Sequence, residues 1–192
     1  MTNPFHAQPR IDRTEEGFVA YCGGDPPRFS FLVGQEDLKA GQIGDNLIFV
    51  TRGAPGPYTL QVIWLSLPED AAQLPATEDA EVLTSHFRWE MDHQSQLHSD
   101  FEVPDGAGIY ALPSGRVFLA GYTKFAEDEP DDGQGGEDRA TPFTAYASMR
   151  DGPDLIMFSV QGLGAGWSPN ALLLKAMRTA CATFFHATAT GD

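Results

Sequence analysis

The feature that most constrains the fold of this chain is a series of short, strand-like segments separated by tight turns. Turn-forming residues occupy positions 53–57, 113–115 and 151–153. Connections this short join antiparallel neighbours, because a parallel connection needs roughly a dozen residues or more. The predicted strands span residues 17–22, 28–33, 46–51, 58–67, 107–112, 116–125, 141–149 and 155–161. The chain is therefore predicted to be an α+β domain built on one antiparallel sheet of about six to eight strands.

Two longer segments have the periodicity of helices. In residues 78–98, one third of the helical wheel carries Val82, Leu83, His86, Trp89, Glu90, His93 and Leu97, and this stripe is expected to face the sheet. Thr77 is the predicted N-cap of this helix. A second long helix is expected from Ser168, as N-cap, to about residue 186. It should bury Leu173, Leu174, Met177, Ala180, Cys181, Phe184 and Phe185.

The remaining segments define the expected domain organisation. Residues 1–15 are predicted to form a loose N-terminal arm, and residues 16–188 a single domain. Residues 34–45 are expected to be a polar connection, and residues 68–76 a linker. Residues 127–139 form a predicted acidic loop, because positions 127–138 contain seven acids and no base. A calcium-loop register beginning at Asp128 fails, because Pro130 and Arg139 occupy ligand positions.

Composition narrows the classes of partner. The net charge is −15, which disfavours nonspecific binding to nucleic acid or to an anionic membrane. The sequence contains no run of apolar residues long enough for a membrane span, and its first 20 residues do not resemble a secretory signal. Cys22 and Cys181 are expected to be reduced, mostly buried thiols. These features predict a cytoplasmic protein without a cofactor.

His86, Glu90 and His93 are the candidates for a metal site, because their spacing places them on one helical face. The zinc pattern His-Glu-x-x-His is absent, since Phe87 follows His86. A metal would need a further ligand, such as His98, Asp100 or Asp105. We therefore favour the interpretation that these side chains border the helix–sheet interface and hold no metal.

Aromatic residues are the candidates for a binding surface. Trp64, Trp89, Tyr122 and Tyr146 would form an apolar groove for a peptide or a second subunit if the sheet exposed them. The alternative, which we favour, is a thick core on both sides of the sheet. Gly162, Gly164 and Gly166 precede the last predicted helix but lack the remaining residues of a phosphate-binding loop.

The order of elements resembles the α/β/α sandwich of PsbP-like and DcrB-like proteins. Over residues 28–187 the shared features are paired N-terminal strands, a mid-chain helix, a run of antiparallel strands, and a closing helix after a Phe-Ser-Val strand. Members of that group are largely noncatalytic accessory subunits, small binding proteins and chaperones. The resemblance therefore implies a binding or chaperone role rather than an active site.

We expect a noncatalytic, cytoplasmic protein-binding domain, such as a bacterial accessory, chaperone or immunity-type factor. Its negative charge favours a basic protein partner. Formation of a homodimer is an alternative that the sequence does not decide. One alternative is a metal-dependent enzyme centred on His86, Glu90 and His93. Another is a small-molecule binder in the cleft between sheet and helix, which an enclosed apolar pocket in the structure would favour.

Overall fold

The computed structural model describes residues 5, 8–34, 36–98, 101–102, 107–125, 140–164 and 166–186. The strands are β1 (Arg10–Thr14), β2 (Gly17–Cys22), β3 (Phe29–Gly34), β4 (Glu36–Ile43), β5 (Asn46–Gly53), β6 (Gly56–Ser66), β7 (Phe101–Glu102), β8 (Gly108–Ala111), β9 (Val117–Phe125), β10 (Ala140–Asp151), β11 (Asp154–Leu163) and β12 (Phe184–Phe185). The helices are α1 (Glu69–Ala72), α2 (Asp79–Leu97) and α3 (Pro169–Cys181), and a 3-10 turn (Ala76–Glu78) precedes α2.

The described strands form two antiparallel sheets rather than one. The large sheet has eight strands in the order β4-β5-β6-β11-β10-β9-β7, with β8 also paired to β9. The small sheet has four strands in the order β1-β2-β3-β12. The predicted α+β class and antiparallel pairing are confirmed, whereas the single sheet is wrong. Periodicity identifies strands, but the separation into two sheets depends on pairings between distant segments, such as Phe184 with Ser30.

The large sheet packs its two faces against different layers. Along β6, Tyr58, Leu60, Val62 and Trp64 are buried in the main core, which also includes residues of the small sheet and of α3. Phenylalanine rings join the two sheets: Phe31 of β3 lies 5.8 Å from Phe49 and 5.3 Å from Phe158, measured between ring centroids. Burying each such ring contributes about 1.5–3 kcal/mol. This apolar layer closes one face of the sheet.

The opposite face is covered by α2, which packs against β7, β9 and β10. A smaller core lies there, formed by Leu67, Val82, Leu83, Leu119, Tyr146 and Leu155. Beside it, Ile63 and Leu65 of β6 and Met157 of β11 are only half-buried. The helix therefore covers this face incompletely, and the candidate site described below lies along its edge.

Only one of the two expected long helices is long. Helix α2 has 19 residues, whereas α3 has 13 and ends at Cys181. The predicted start is confirmed, since the Ser168 hydroxyl accepts from the Ala171 N–H at 3.2 Å and Pro169 follows. The predicted end is wrong, because the two aromatic residues at 184–185 pair with β3 as β12 instead of extending the helix.

The buried face of α3 also differs from the prediction. It consists of Leu172, Ala176, Thr179 and Ala180. Leu174 is 66% exposed and Phe184 is 62% exposed, and Cys181 is exposed. Of the predicted residues, Ala180 is buried, and Leu173 and Met177 are partly buried against the main core. No helix among the described residues is long and apolar enough to cross a membrane.

Three connecting segments contain more regular structure than expected. Within the predicted arm at residues 1–15, β1 pairs with β2, and Phe5 is buried against Trp64 and Phe29. The predicted connection at 34–45 contains the edge strand β4. The predicted linker at 68–76 contains α1, and Thr77 lies in the 3-10 turn rather than at an N-cap. The acidic loop at 127–139 lies outside the described residues.

Arg150 of β10 attaches α1 and the start of α2 to the sheet. Arg150 is 7% exposed, and its guanidinium donates to the carbonyl oxygens of Ala72 at 3.1 Å, Leu74 at 2.7 Å and Gly152 at 2.8 Å. It also forms a salt bridge with Asp79 at 3.1 Å. A guanidinium supplies five N–H donors in a fixed fork, so one side chain satisfies several backbone acceptors at once.

Replacing Arg150 should destabilise the protein strongly. We expect Arg150→Met to lower the free energy of unfolding by about 3–5 kcal/mol, because Asp79 and buried carbonyls lose their partner. Urea denaturation monitored by circular dichroism measures this value. The matched control is Arg88→Met on the exposed side of α2, which should change stability by less than about 0.5 kcal/mol. Equal effects of the two substitutions would contradict the role assigned to Arg150.

Candidate binding site

Helix α2 turns only part of the expected face to the sheet. Val82 and Leu83 are buried as predicted, and His86 lines the space between helix and sheet. The prediction is wrong for Trp89, which is 61% exposed, and for His93, which is exposed. Phe87 enters the interface instead and stacks on Tyr146, with ring centroids 5.3 Å apart.

A groove of about 910 Å³ runs along this helix, and we call it the α2 groove. Its wall and floor come from the end of β6, from α1 and from α2. The lining residues are Leu65, Ser66, Leu67, Pro68, Asp70, Ala71, Leu74, Glu81, Val82, Ser85, His86, Trp89, Glu90, His93 and Gln94. The floor is apolar and the acids lie around it. No lysine or arginine is among these lining residues.

Trp89 stands on the rim of the α2 groove between two histidines. Its ring is stacked on that of His93, with centroids 5.5 Å apart and planes 6° apart. The ring of His86 lies 6.0 Å away on the other side. The i, i+3 and i, i+4 spacing of a helix produces this arrangement directly. The result is an exposed aromatic rim above an apolar floor.

A second cavity, which we call the α2 chamber, lies between α2 and the sheet and has a volume of about 210 Å³. Its helix side includes His86, Phe87, Glu90, Met91 and Gln94, and its sheet side carries several hydroxyl groups. The remaining lining residues are Ile63, Phe101, Thr123, Thr144, Tyr146, Ser148, Met157 and Ser159. His86, Glu90 and Gln94 border both the chamber and the groove.

The polar side chains between the two cavities are partly paired. The Gln94 Nε2 donates to Glu90 Oε1 at 2.8 Å. Burial lowers the pKa of His86, and the nearby Glu90 carboxylate opposes this shift. His86 is therefore neutral near pH 7, with one ring nitrogen able to donate and the other able to accept a hydrogen bond.

The metal candidates are not brought together as a cluster. His86, Glu90 and His93 all line the α2 groove, but His93 is stacked on Trp89 at the surface. Within the described ranges, no three His, Cys, Asp or Glu side chains are placed to hold a metal ion. The further candidates Asp100 and Asp105 lie outside the described residues, while His98 is exposed at the end of α2.

The four aromatic candidates fall in different places. Trp64 is 8% exposed and stacks on Phe29 in the main core, with the Arg28 guanidinium 4.3 Å from its ring. Tyr122 is half-buried on the same side of the sheet. Tyr146 lines the chamber, and only Trp89 is exposed, on the groove rim. The structure thus has a core on both faces of the large sheet. Its groove runs along α2 and is not formed by exposed aromatic residues of the sheet.

Gly162, one of the three glycines that precede the last helix, has a packing role. Gly162 of β11 lies against Trp167, where a Cβ atom would collide with the indole ring. Trp167 is buried and its Nε1 donates to the Pro57 carbonyl oxygen at 3.0 Å. These contacts account for the absence of a side chain at position 162 without any bound phosphate.

Sequence reasoning missed most of the lining of both cavities. It treated α1 as linker and did not consider the hydroxyl residues of the sheet. One signal was present: Thr144 and Ser148 alternate with the apolar residues of β10, and Ser159 alternates with those of β11. This alternation indicates that one face of the sheet is more polar than is usual for a face covered by a helix.

Comparison with known proteins reveals only distant likeness of fold. No family model and no curated protein matches the chain. Cyanobacterial PsbP from Synechocystis sp. PCC 6803 is similar at a TM-score of 0.46 and 14% identity, over 93% of this chain and 92% of that one. The lipid transfer and protein localization domain of human StarD13 is similar at a TM-score of 0.35 and 13% identity, over 77% and 88%. The first agrees with the PsbP-like part of the resemblance. The DcrB-like part stays a prediction, and neither match carries an argument about function.

Trp89 should dominate the response of the protein to a neutral quencher. Of the three tryptophans, Trp64 and Trp167 are 8% and 7% exposed, whereas Trp89 is 61% exposed. We expect acrylamide to quench the folded protein mainly through Trp89, and Trp89→Phe to remove most of that quenching. The urea-unfolded protein, in which all three indoles are accessible, is the control. Unchanged quenching in the variant would show that α2 is oriented differently.

His86 should make the protein less stable in mild acid. Because burial lowers its folded-state pKa, the unfolded chain binds a proton first as the pH falls below the ordinary value of about 6.5. The stability contributed by the neutral imidazole is complete above that pH and is lost as the pH falls toward the folded pKa. NMR titration should show a midpoint for His86 below the value found in urea. His86→Gln should flatten the decline in stability, and an equal decline in the variant would contradict this assignment.

Proposed function

We propose that this protein is a noncatalytic binding domain that holds a basic, amphipathic segment of another protein in the α2 groove. Such binding would serve an accessory, chaperone or immunity-type role in the cytoplasm. The observation that supports it best is the combination of an apolar floor, an acidic rim and an exposed tryptophan in one groove. Both cysteines are free thiols, in keeping with a reducing compartment.

The apolar part of the groove supports a protein ligand. Leu65, Leu67, Leu74 and Val82 line its floor, and Trp89 rises beside them. Trp89 and the apolar floor together form one contiguous apolar surface, and such surfaces mark sites that a partner covers. Tryptophan is also among the residues that contribute most to protein–protein binding when they are buried at an interface. The groove therefore matches a segment that presents a few apolar side chains in a row.

The negative charge of the groove favours basic residues beside the apolar side chains of the bound segment. Asp70, Glu81 and Glu90 are within the lining, and no described lining residue is a lysine or arginine. The net charge of −15 extends the same negative field around the molecule. Such a field accelerates association with a cationic partner and disfavours an anionic one. Lysine or arginine residues beside the apolar side chains of the partner would meet these acids.

Synthetic peptides test this proposal directly. A short amphipathic peptide of leucine and lysine should bind, as measured by calorimetry, and its affinity should fall as salt is added. A peptide with glutamate in place of lysine should bind much more weakly. Trp89→Ala should weaken binding of the lysine peptide by at least about tenfold, which corresponds to about 1.4 kcal/mol.

Matched variants separate the groove from other apolar surfaces. Leu174→Ala removes an apolar side chain that is 66% exposed on α3, far from the groove lining, and should leave the affinity unchanged. Glu81→Gln should weaken binding at low salt and have little effect at high salt. The proposal is wrong if the glutamate peptide binds equally well, or if Trp89→Ala and Leu174→Ala have the same effect.

A further inference from the structure

The lysines and arginines of this acidic chain are unevenly distributed over its surface. The sequence has 12 of them against 27 acids, yet five line two cavities that share Arg52 of β5. The other four are Arg13, Lys39, Lys175 and Arg178. Asp37 is the acid in the described lining, and Glu36 lies opposite Arg52 in the β4–β5 register. Even with Glu36 included, five bases meet two acids here, so the local charge is opposite to that of the whole chain.

The smaller of the two cavities contains a half-buried lysine without a counter-charge. Lys175 of α3 lies against the β5–β6 hairpin, where a Cβ atom on Gly53 would be 3.0 Å from its Nζ. The Nζ is 5.4 Å from the centroid of the Tyr58 ring. No described residue forms a hydrogen bond or an ion pair with this ammonium group. A charged group removed from water in this way is unfavourable unless an opposite charge joins it.

The neighbouring side chains increase the positive charge around Lys175. Arg178 is three residues further along α3, and both line the smaller cavity together with Arg52. Like charges at this helical spacing repel each other. Burial and then the charge of Arg178 lower the pKa of Lys175. An anion bound between these side chains would remove both unfavourable effects.

The larger cavity, which we call the basic cleft, has a volume of about 920 Å³. This volume is within the range of small-molecule sites. Its basic residues are Arg13, Lys39 and Arg52, and its lining also includes the apolar side chains of Phe18, Leu38, Val50, Pro57 and Leu163. The smaller cavity measures only about 10 Å³ and has room for one water-sized group. A ligand would therefore place one polar atom beside Lys175 and its apolar body in the basic cleft.

Arg52 can bind such a ligand because its pairing within the protein is weak. It forms a salt bridge with Asp37 at 3.5 Å, and the two side chains are 69% and 74% exposed. Exposed pairs of this kind contribute little to stability. A guanidinium also binds carboxylate, sulfonate or phosphate oxygens through two parallel N–H groups. Exchange of Asp37 for the anionic group of a ligand therefore costs little.

We propose that the basic cleft binds a molecule with an apolar body and one anionic group, and that this group lies among Arg52, Lys175 and Arg178. The site shares no lining residue with the α2 groove, so it goes beyond the proposed binding of a polypeptide. The two sites have opposite charge preferences. The groove accepts a cationic segment, and the basic cleft accepts an apolar anion.

The dye anilinonaphthalenesulfonate tests this site, because it carries one sulfonate on an apolar body and fluoresces at apolar protein surfaces. We expect saturable binding to the native protein, with an affinity that falls as salt is added. The uncharged analogue phenylnaphthylamine has nearly the same apolar body and no sulfonate. Circular dichroism should accompany each titration, since partly unfolded protein also binds the sulfonate dye.

A matched pair of lysine substitutions assigns the binding to the basic cleft. Lys175→Met keeps the unbranched apolar side chain and removes the charge, and no described hydrogen bond or ion pair is lost. It should bind the sulfonate dye about tenfold more weakly, which corresponds to about 1.4 kcal/mol. Its affinity for phenylnaphthylamine should not fall. Lys124→Met changes the net charge equally but lies on β9, outside both cavities, and should bind the sulfonate dye normally.

Four outcomes would overturn the proposal. They are the absence of saturable binding of the sulfonate dye, equal affinities of Lys175→Met and Lys124→Met, an equal loss of both dyes in Lys175→Met, or loss of the sulfonate dye in Trp89→Ala. The last result would place the dye in the α2 groove instead. Binding of the lysine peptide should survive Lys175→Met, because Lys175 is outside the groove lining. Failure of this proposal is therefore distinguishable from failure of the proposed polypeptide binding.

Discussion

Arg150 makes the buried hydrogen bonds on which the arrangement of α1 and α2 depends. The four residues of α1 include none that is fully buried, so apolar contact alone does not hold this helix in place. The guanidinium of Arg150 compensates by donating to the carbonyl oxygens of Ala72, the last residue of α1, and of Leu74, and by pairing with Asp79 at the start of α2. These bonds place one wall of the α2 groove against the end of β6. The α2 groove therefore depends on a polar contact at the end of a strand.

The two faces of the large sheet serve different purposes. One face is closed by the small sheet and α3, with phenylalanine rings interlocked between the layers. The other is covered incompletely by α2, where the sheet carries hydroxyl groups and the helix contributes a neutral histidine and a glutamate. The first face supplies most of the hydrophobic stabilisation, which allows the second to keep polar groups that cost stability. Polar groups retained at such a cost are what a binding site requires.

Much of the local structure was predictable from residue patterns. The alternation along β6 and β11, the hairpin turns and the Ser168–Pro169 helix start all follow from short-range chemistry. The candidate site was predictable only in part. His86, Glu90 and Trp89 were identified, but the stripe included His93 and Leu97 and omitted Phe87 and Met91. Apolar residues lie on several sides of α2, so the most hydrophobic face of the helical wheel did not identify the buried face along its whole length.

The sequence by itself determined eight of the described strands, the antiparallel pairing of hairpins, the strongly negative charge and the two principal helical segments. Only the tertiary structure decided that β12 pairs with β3, that the strands separate into two sheets, and that α2 exposes Trp89. The physical reason is that hairpins, caps and alternation arise from contacts between residues close in the chain. Sheet partition and helix rotation depend instead on which distant side chains pack best, as Phe87 does on Tyr146. The groove and the chamber exist because of that second kind of contact.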